Sequence, residues 1–377
     1  MLDPISLYIH IPFCSKKCHY CHFYVIEHSQ SFVDSYIEAI TKEIALYKDV
    51  LKTHPIASIY FGGGTPSRLQ VQEIEKIIHS ILAYVTLCDS CELTIEVNPE
   101  DVNLPFVKAI KGIGFNRVSM GVQSFHESHL IQLGRTHNAN KAESAVNDLY
   151  NGGFDNISID LMYDLPYQIK EDWEKTVLRA VELPITHLSL YNLTIEPQTL
   201  FFKNKKILEP HLPDENLSLY FYKHAIDVFS KNGLEQYEIS AFAKNKKYSI
   251  HNLGYWTGRP FLGLGPSAFS YWEGKRFKNV SHLKKYHDLL KESILPIDFT
   301  EKLEYEAKWR ELFTIQLRLK IGINLEDFEK KNGQSPTNFS KELLALRADG
   351  FISFTNNQCQ LTEKGFLFYD YIASELI

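Results

Sequence analysis

The 377-residue chain lacks any apolar run long enough for a bilayer, and since a membrane helix needs about twenty consecutive apolar residues, a transmembrane protein is excluded. It also lacks a charge excess, 40 Lys plus Arg standing against 46 Asp plus Glu for a net −6. A mildly acidic chain has no long-range field to gather nucleic acid, which is not an expected partner. Met1 to Cys14 contains neither a basic segment ahead of an apolar core nor an Arg-rich amphipathic pattern, so a cytoplasmic protein is expected. Cysteine is scarce, with six residues in all, too few for a disulfide scaffold at this length. There is no low-complexity tract and no repeat beyond a βα alternation.

That alternation fills the first half. Six strands are expected at Ser6–Ile11, Ser58–Phe61, Leu93–Val97, Arg117–Val122, Asn156–Met162 and His187–Leu193, from short runs rich in β-branched and aromatic residues. Amphipathic stretches between them predict helices over Phe32–Leu51, Gln70–Tyr84, Leu104–Gly112, Lys141–Asn151 and Glu171–Leu183. Chemistry-bearing side chains fall at or just past the strands' C-terminal ends, where parallel α/β folds place their sites, and the expected architecture is an open or closed α/β barrel.

A further helix over Asn216–Asn232, a strand at Tyr237–Ser240 and a Gly- and aromatic-rich stretch to Trp272 suggest an irregular extension covering the barrel. Beyond Phe299, helices over Lys302–Leu319 and Ser340–Asp349, with two short strands around an Asn356-Asn357 turn, predict a winged-helix-like module. From Thr300 onward 10 basic residues face 12 acidic ones, a balance that favours packing or docking over DNA binding.

Cys14, Cys18 and Cys21 crowd three thiolates into eight residues directly after the first strand. Such soft ligands select zinc or an iron–sulfur centre. A closed zinc site would take its fourth ligand from His10, His19 or His22; a [4Fe–4S] cubane would keep one iron open for a ligand. After the second strand, Gly62-Gly63-Gly64-Thr65-Pro66 lets backbone approach a ligand closely, and it lacks the spacing of a dinucleotide or P-loop turn. Glu96, Gln123 with Ser124, and Asp160 end successive strands, each a solvated terminus if taken singly, together a polar mouth for a ribose and an amino-acid moiety. Arg135 is placed to pair a carboxylate.

The segments YIHIPFCSKKCHYCHF, GGGTPS, VSMGVQSF, LGRTH, ISIDLMYDLP, LSLYNLTIEP and HNLGYW, running in order from Tyr8 to Phe269 over about seventy per cent of the chain, closely resemble the radical S-adenosylmethionine proteins of the oxygen-independent coproporphyrinogen oxidase type, and within them the HemW haem-chaperone branch. The resemblance implies an α/β fold: a partial, three-quarter (β/α)6 TIM-type barrel over 1–200, a barrel extension carrying HNLGYW over 201–299, and a C-terminal α+β winged-helix-like domain over 300–377. It implies a [4Fe–4S] cluster on Cys14, Cys18 and Cys21, with the amine and carboxylate of S-adenosylmethionine on the open iron. It carries cofactor contacts onto Tyr8, Tyr20, Gly63, Gly64, Thr65, Glu96, Gln123, Arg135, Asp160 and the backbone of Phe269. Haem is implied as well, with His251 as an axial ligand or, alternatively, as a satisfied structural histidine beside Tyr255 and Trp256.

The oxidase branch ends its cysteine motif with a further Cys where this chain has His22-Phe23, and it carries a long segment ahead of the cysteines where this chain has 13 residues. Both departures favour the chaperone branch, whose partners are haem, S-adenosylmethionine and a client haem apoprotein; a homodimer stays open. Asp164 and Tyr167 replace two glycines usual in the family, which implies a wider turn or a shifted cofactor rim. Phe269 stands where many relatives carry His. Cys88 and Cys91, expected just ahead of the third strand, lack a second pair to complete a zinc site, and Cys359 is a packing residue. Three functions follow: a haem carrier; a radical enzyme decarboxylating porphyrinogen propionates, by a 5′-deoxyadenosyl radical; or a zinc-stabilised scaffold.

Overall fold

The computed structural model describes residues 2–377. Six parallel strands, β1 (Ile5–Ile11), β2 (Pro55–Gly63), β3 (Thr86–Val97), β4 (Arg117–Gln123), β5 (Ile157–Tyr163) and β6 (His187–Asn192), pair in chain order, joined by helical crossovers. Their side chains alternate by parity, as a pleated strand requires. Leu7, Ile9, Ile59, Phe61, Leu93, Ile95, Val118, Met120, Ile157, Ile159 and Leu188 face the surrounding helices in one continuous apolar core. The other parity is polar: Ser6, Ser58, Glu92, Thr94, Arg117, Ser119, Ser158, His187 and Ser189 are all buried. Helices are therefore fastened by hydrophobic burial, while the barrel interior is a hydrogen-bonded network, as in the contacts of Ser158 Oγ with His187 Nδ1 at 2.8 Å and Ser58 Oγ with Ser6 Oγ at 2.9 Å.

The extension is not a cover. It lengthens the sheet at both edges: β7 (Glu235–Glu238) and β8 (Ala241–Ala243) add beside β6, and β9 (Phe261–Leu264), β10 (Phe269–Trp272), β11 (Lys275–Asn279) and β12 (Ile297–Lys302) add beside β1, giving the order β12-β11-β10-β9-β1-β2-β3-β4-β5-β6-β8-β7. β9 runs parallel to β1, with Tyr8 opposite Gly263, and the other additions are antiparallel. Ser240 lies beyond β7, in the turn to β8. The first helical stretch is two helices, Gln30–Leu46 and Lys48–Thr53, interrupted at Tyr47.

The C-terminal module has its own core, built on Trp309, Phe313, Phe328 and Phe339. A three-stranded sheet includes Ile352–Thr355 and Gln358–Leu361, joined by Asn356 and Asn357 at φ 47° and 63°, the left-handed pair a tight hairpin needs. The module also holds a helix, Leu325–Asn332, and a short strand, Ile323–Asn324, beyond the elements that its sequence pattern predicts. The module docks on the extension: Arg318 pairs with Glu238 at 3.3 Å and lies 4.4 Å over the Trp256 ring. Among the described residues no helix is long and apolar enough to cross a membrane.

Candidate functional site

The cysteine loop is pinched at its base. Phe13–Cys14 pairs with Ile26–Glu27 in a two-strand ladder, and Pro12 accepts from the Ile26 amide at 2.7 Å. The triglycine turn grips the same base: the Gly64 amide donates to Ile11 O at 2.7 Å and the Thr65 amide to Phe13 O at 2.8 Å. A Cβ on Gly64 would meet the Ile11 and Phe13 carbonyl oxygens at 2.8 Å, so glycine is required for this approach. Thr65 Oγ1 then reaches Cys14 Sγ at 3.3 Å and accepts from Asn98 Nδ2 at 3.3 Å.

The three thiols open into a cavity of about 450 Å³ over the C-terminal ends of the strands, a size that admits a cofactor. Its walls include Tyr20, Gly63, Gly64, Thr65, Glu96, Gln123, Arg135 and Asp160, eight residues drawn together from four strands and three loops. Glu96 accepts from Tyr60 Oη at 2.8 Å and from the Gly63 amide at 3.1 Å; burial, opposed by these bonds, pushes its carboxyl up to about 7. Burial likewise pushes Asp160 up to about 6 and the Cys14 thiol to about 11. Carboxyls so poised are eased by a cation, which a sulfonium supplies, or by hydroxyl donors, which a ribose supplies. Gln123 holds φ 69° at this mouth, a strained backbone for a non-glycine residue.

Arg135 donates to Cys18 Sγ at 3.5 Å, Asn98 Oδ1 at 2.8 Å and Gly121 O at 2.7 Å, and its Nε is buried without a partner. It thus braces the loop as well as facing the cavity. Asn98, Ser119 and Tyr191 also line this cavity and were not singled out from the sequence, though Ser119 is in register with Glu96 and was recoverable from strand parity.

Two expected contacts lie elsewhere. Tyr8 sits below the cavity, stacked at 6.2 Å on Tyr60 with its hydroxyl 3.1 Å from His10 Nδ1. Phe269 lines a separate cleft with Tyr255, Trp256 and Phe261, against the C-terminal module.

His251 is 1 % exposed. Its Nδ1 lies 2.9 Å from Ser58 Oγ, its Nε2 2.8 Å from Tyr255 Oη, and its ring stacks on Tyr60 at 4.7 Å. Glu92 accepts from the Ile250 and His251 amides and anchors the short helix Ile250–Trp256. Burial drives the imidazole down to about 3. Both ring nitrogens are engaged, so this geometry offers no free nitrogen to a haem iron and matches the alternative of a satisfied histidine.

Asp164 and Tyr167 do not widen their turn. Both adopt the glycine-like left-handed backbone, at φ 61° and 62°. Asp164 is held by Asn192 at 2.6 Å and Ser218 at 2.5 Å, and Tyr167 stacks on His211 at 4.1 Å. Neither lines the cysteine cavity. Cys88 and Cys91 lie within β3 rather than ahead of it, and burial keeps the Cys91 thiol up at about 12, hence unreactive.

The donor set fits a cubane better than a single zinc ion. His10 is held at both ring nitrogens, by Tyr8 and by Tyr24 O, while His19, bonded through Nδ1 to Gln132 O at 2.8 Å, and His22 each keep a ring nitrogen near the loop. Thiolates on one zinc must approach to about 3.8 Å from Zn–S bonds near 2.3 Å. The only three such ligand atoms within 4.8 Å of one another among the described residues belong to His126, His129 and Asp172.

Residues 8–180 match the Radical SAM superfamily and residues 303–368 the HemN C-terminal domain. The chain is 34% identical over 364 residues to the haem chaperone HemW of Bacillus subtilis, covering 96% of each. The chain belongs to the HemW family. The HemW of Lactococcus lactis is 33% identical over 365 residues, covering 96% of this chain and 94% of its own. Coproporphyrinogen III oxidase, HemN, of Escherichia coli, described as a radical SAM enzyme, superimposes with a TM-score of 0.87 at 25% identity, over 99% of this chain and 90% of that one. Radical SAM membership implies a [4Fe–4S] cluster and S-adenosylmethionine. In this HemW-family chain Cys14, Cys18 and Cys21 would hold the cluster and the surrounding cavity walls the cofactor. Such a pair supplies one-electron cleavage of a sulfonium; the residues around it bind, orient and shield.

Proposed function

We propose that this chain is a cytoplasmic haem chaperone that binds a [4Fe–4S] cluster, S-adenosylmethionine and haem, and passes haem to a client apoprotein. The observation that carries the proposal is collinear identity with HemW haem chaperones along almost the entire length of both partners. The loop chemistry supports it: the position that follows Cys21 by two residues is Phe23, half exposed, where the oxidase branch has a further cysteine. Cys14, Cys18 and Cys21 are assigned to the cluster, and Gly63, Gly64, Thr65, Glu96, Gln123, Arg135 and Asp160 to the cofactor. His251 is assigned to fixing the helix Ile250–Trp256.

The likeness to HemN favours a second reading, oxidative decarboxylation of coproporphyrinogen III. Anaerobically reconstituted protein separates the two. A chaperone saturates with haem in a spectrophotometric titration and releases no coproporphyrinogen-dependent carbon dioxide or 5′-deoxyadenosine. Substrate-dependent release of both, without stoichiometric haem binding, overturns the proposal.

A further inference from the structure

Away from the cysteine loop, two imidazoles and a carboxylate converge at the barrel rim with no part in the functions above. His126 follows β4 and precedes the helix Glu127–Leu133, His129 lies three residues further on, and Asp172 sits in the first turn of the helix Lys170–Glu182. His126 Nε2 is 3.2 Å from Asp172 Oδ1 and His129 Nε2 is 3.8 Å from Asp172 Oδ2. The two rings are 4.7 Å apart, and one ligand atom from each of the three residues lies within 4.8 Å of the others. A tetrahedral zinc ion with Zn–N and Zn–O bonds near 2.1 Å sets its ligand atoms about 3.4 Å apart. The observed separations bracket that value.

Hydrogen bonding alone does not account for the arrangement. The His129 side chain is only 3% exposed, yet its Nε2 faces Asp172 from 3.8 Å, beyond hydrogen-bond distance. A buried imidazole in this condition is costly unless something else binds it. His126 is already oriented as an outer-shell bond orients a metal ligand: its Nδ1 lies 2.9 Å from Ser128 Oγ, which leaves Nε2 for the shared point.

His126 and Asp172 also line a cavity of about 460 Å³ shared with Phe125, Glu127 and Lys175, so a fourth coordination position opens onto solvent. The neighbouring Arg179 guanidinium is engaged by Glu143 at 2.5 Å, which removes it as a competitor for Asp172.

We propose that His126, His129 and Asp172 form a three-ligand zinc site, separate from the cysteine loop, with its fourth position open to this cavity. The two imidazoles and the carboxylate are the borderline donor set that zinc takes, whereas magnesium and calcium take oxygen.

The test uses the full-length protein with its iron–sulfur cluster reconstituted, so that the cysteines are occupied, and zinc chloride as the probe. Calorimetry is expected to give one zinc per chain, and zinc-edge X-ray absorption a shell of nitrogen and oxygen with imidazole scattering. His129→Ala and Asp172→Asn are each expected to weaken zinc binding by about a hundredfold, with iron and labile sulfide content unchanged. No binding by the reconstituted protein, a sulfur shell, or undiminished affinity in Asp172→Asn overturns the proposal. If His129→Ala does not fold, His126→Ala, at the more exposed ligand, carries the same expectation and the same power to refute.

Discussion

Arg135 Nη1 lies 3.5 Å from Cys18 Sγ, while Nη2 of the same guanidinium bonds Asn98 and Gly121, so one side chain ties the cysteine loop to β3 and β4. A point-like ammonium cannot reproduce this fork. Arg135→Lys is expected to retain the iron content of the reconstituted protein and to weaken S-adenosylmethionine binding about tenfold, equivalent to about 1.4 kcal/mol. Calorimetry on the anaerobic protein reads the effect; unchanged affinity removes Arg135 from the cofactor wall.

Gly63 combines a left-handed backbone with a close approach at the cavity wall. It holds φ 107°, and a Cβ there would stand 2.5 Å from the His10 ring. Gly63→Ala is expected to cost about 2 kcal/mol of stability, visible as a lower thermal midpoint and faster loss of iron on dilution. A midpoint equal to that of the parent protein would mean the turn relaxes without strain.

The barrel was legible because its signals are local. Alternation in β1 and β3 set the inward parity, and glycines and acids at strand ends marked the mouth. The outer strands were hidden for a physical reason: Phe269–Trp272 and Lys275–Asn279 are antiparallel edge additions, whose pairing depends on a turn and on distant β1 through β9 rather than on their own composition. Asp164 and Tyr167 misled because glycine is the usual occupant of left-handed backbone, whereas here Asn192, Ser218 and His211 hold the side chains that replace it. The fate of His251 was likewise invisible, since Ser58 lies 193 residues away in sequence.

That buried imidazole gives a discriminating variant. Glutamine offers one donor and one acceptor in place of the two ring nitrogens. His251→Gln is therefore expected to lower stability by about 1–3 kcal/mol and to leave haem stoichiometry and the Soret maximum unchanged. Loss of the Soret band would mean that His251 leaves Ser58 and Tyr255 to ligate iron.

Glu43 predicts a pH dependence. It is fully buried, accepts from Tyr286 Oη at 2.5 Å, Asn279 Nδ2 at 2.6 Å and the Gly265 amide at 2.8 Å, and burial, opposed by these bonds, pushes it up from 4.5 to about 7. A carboxyl raised on folding contributes stability that is full below pH 4.5 and is lost as pH rises through about 7. Denaturant midpoints of the parent protein are expected to fall between pH 6 and pH 8 by more than those of Glu43→Gln, a difference on the order of 1 kcal/mol. Parallel profiles would show that Glu43 titrates normally.

The central claim is a cubane held by Cys14, Cys18 and Cys21 alone, with one iron left for the methionine end of S-adenosylmethionine. Electron–nuclear double resonance on the reduced, reconstituted protein, with the cofactor isotopically labelled in its carboxylate, tests it most directly. The account predicts hyperfine coupling from the labelled oxygen; coupling from a protein imidazole such as His22, with none from the label, contradicts it.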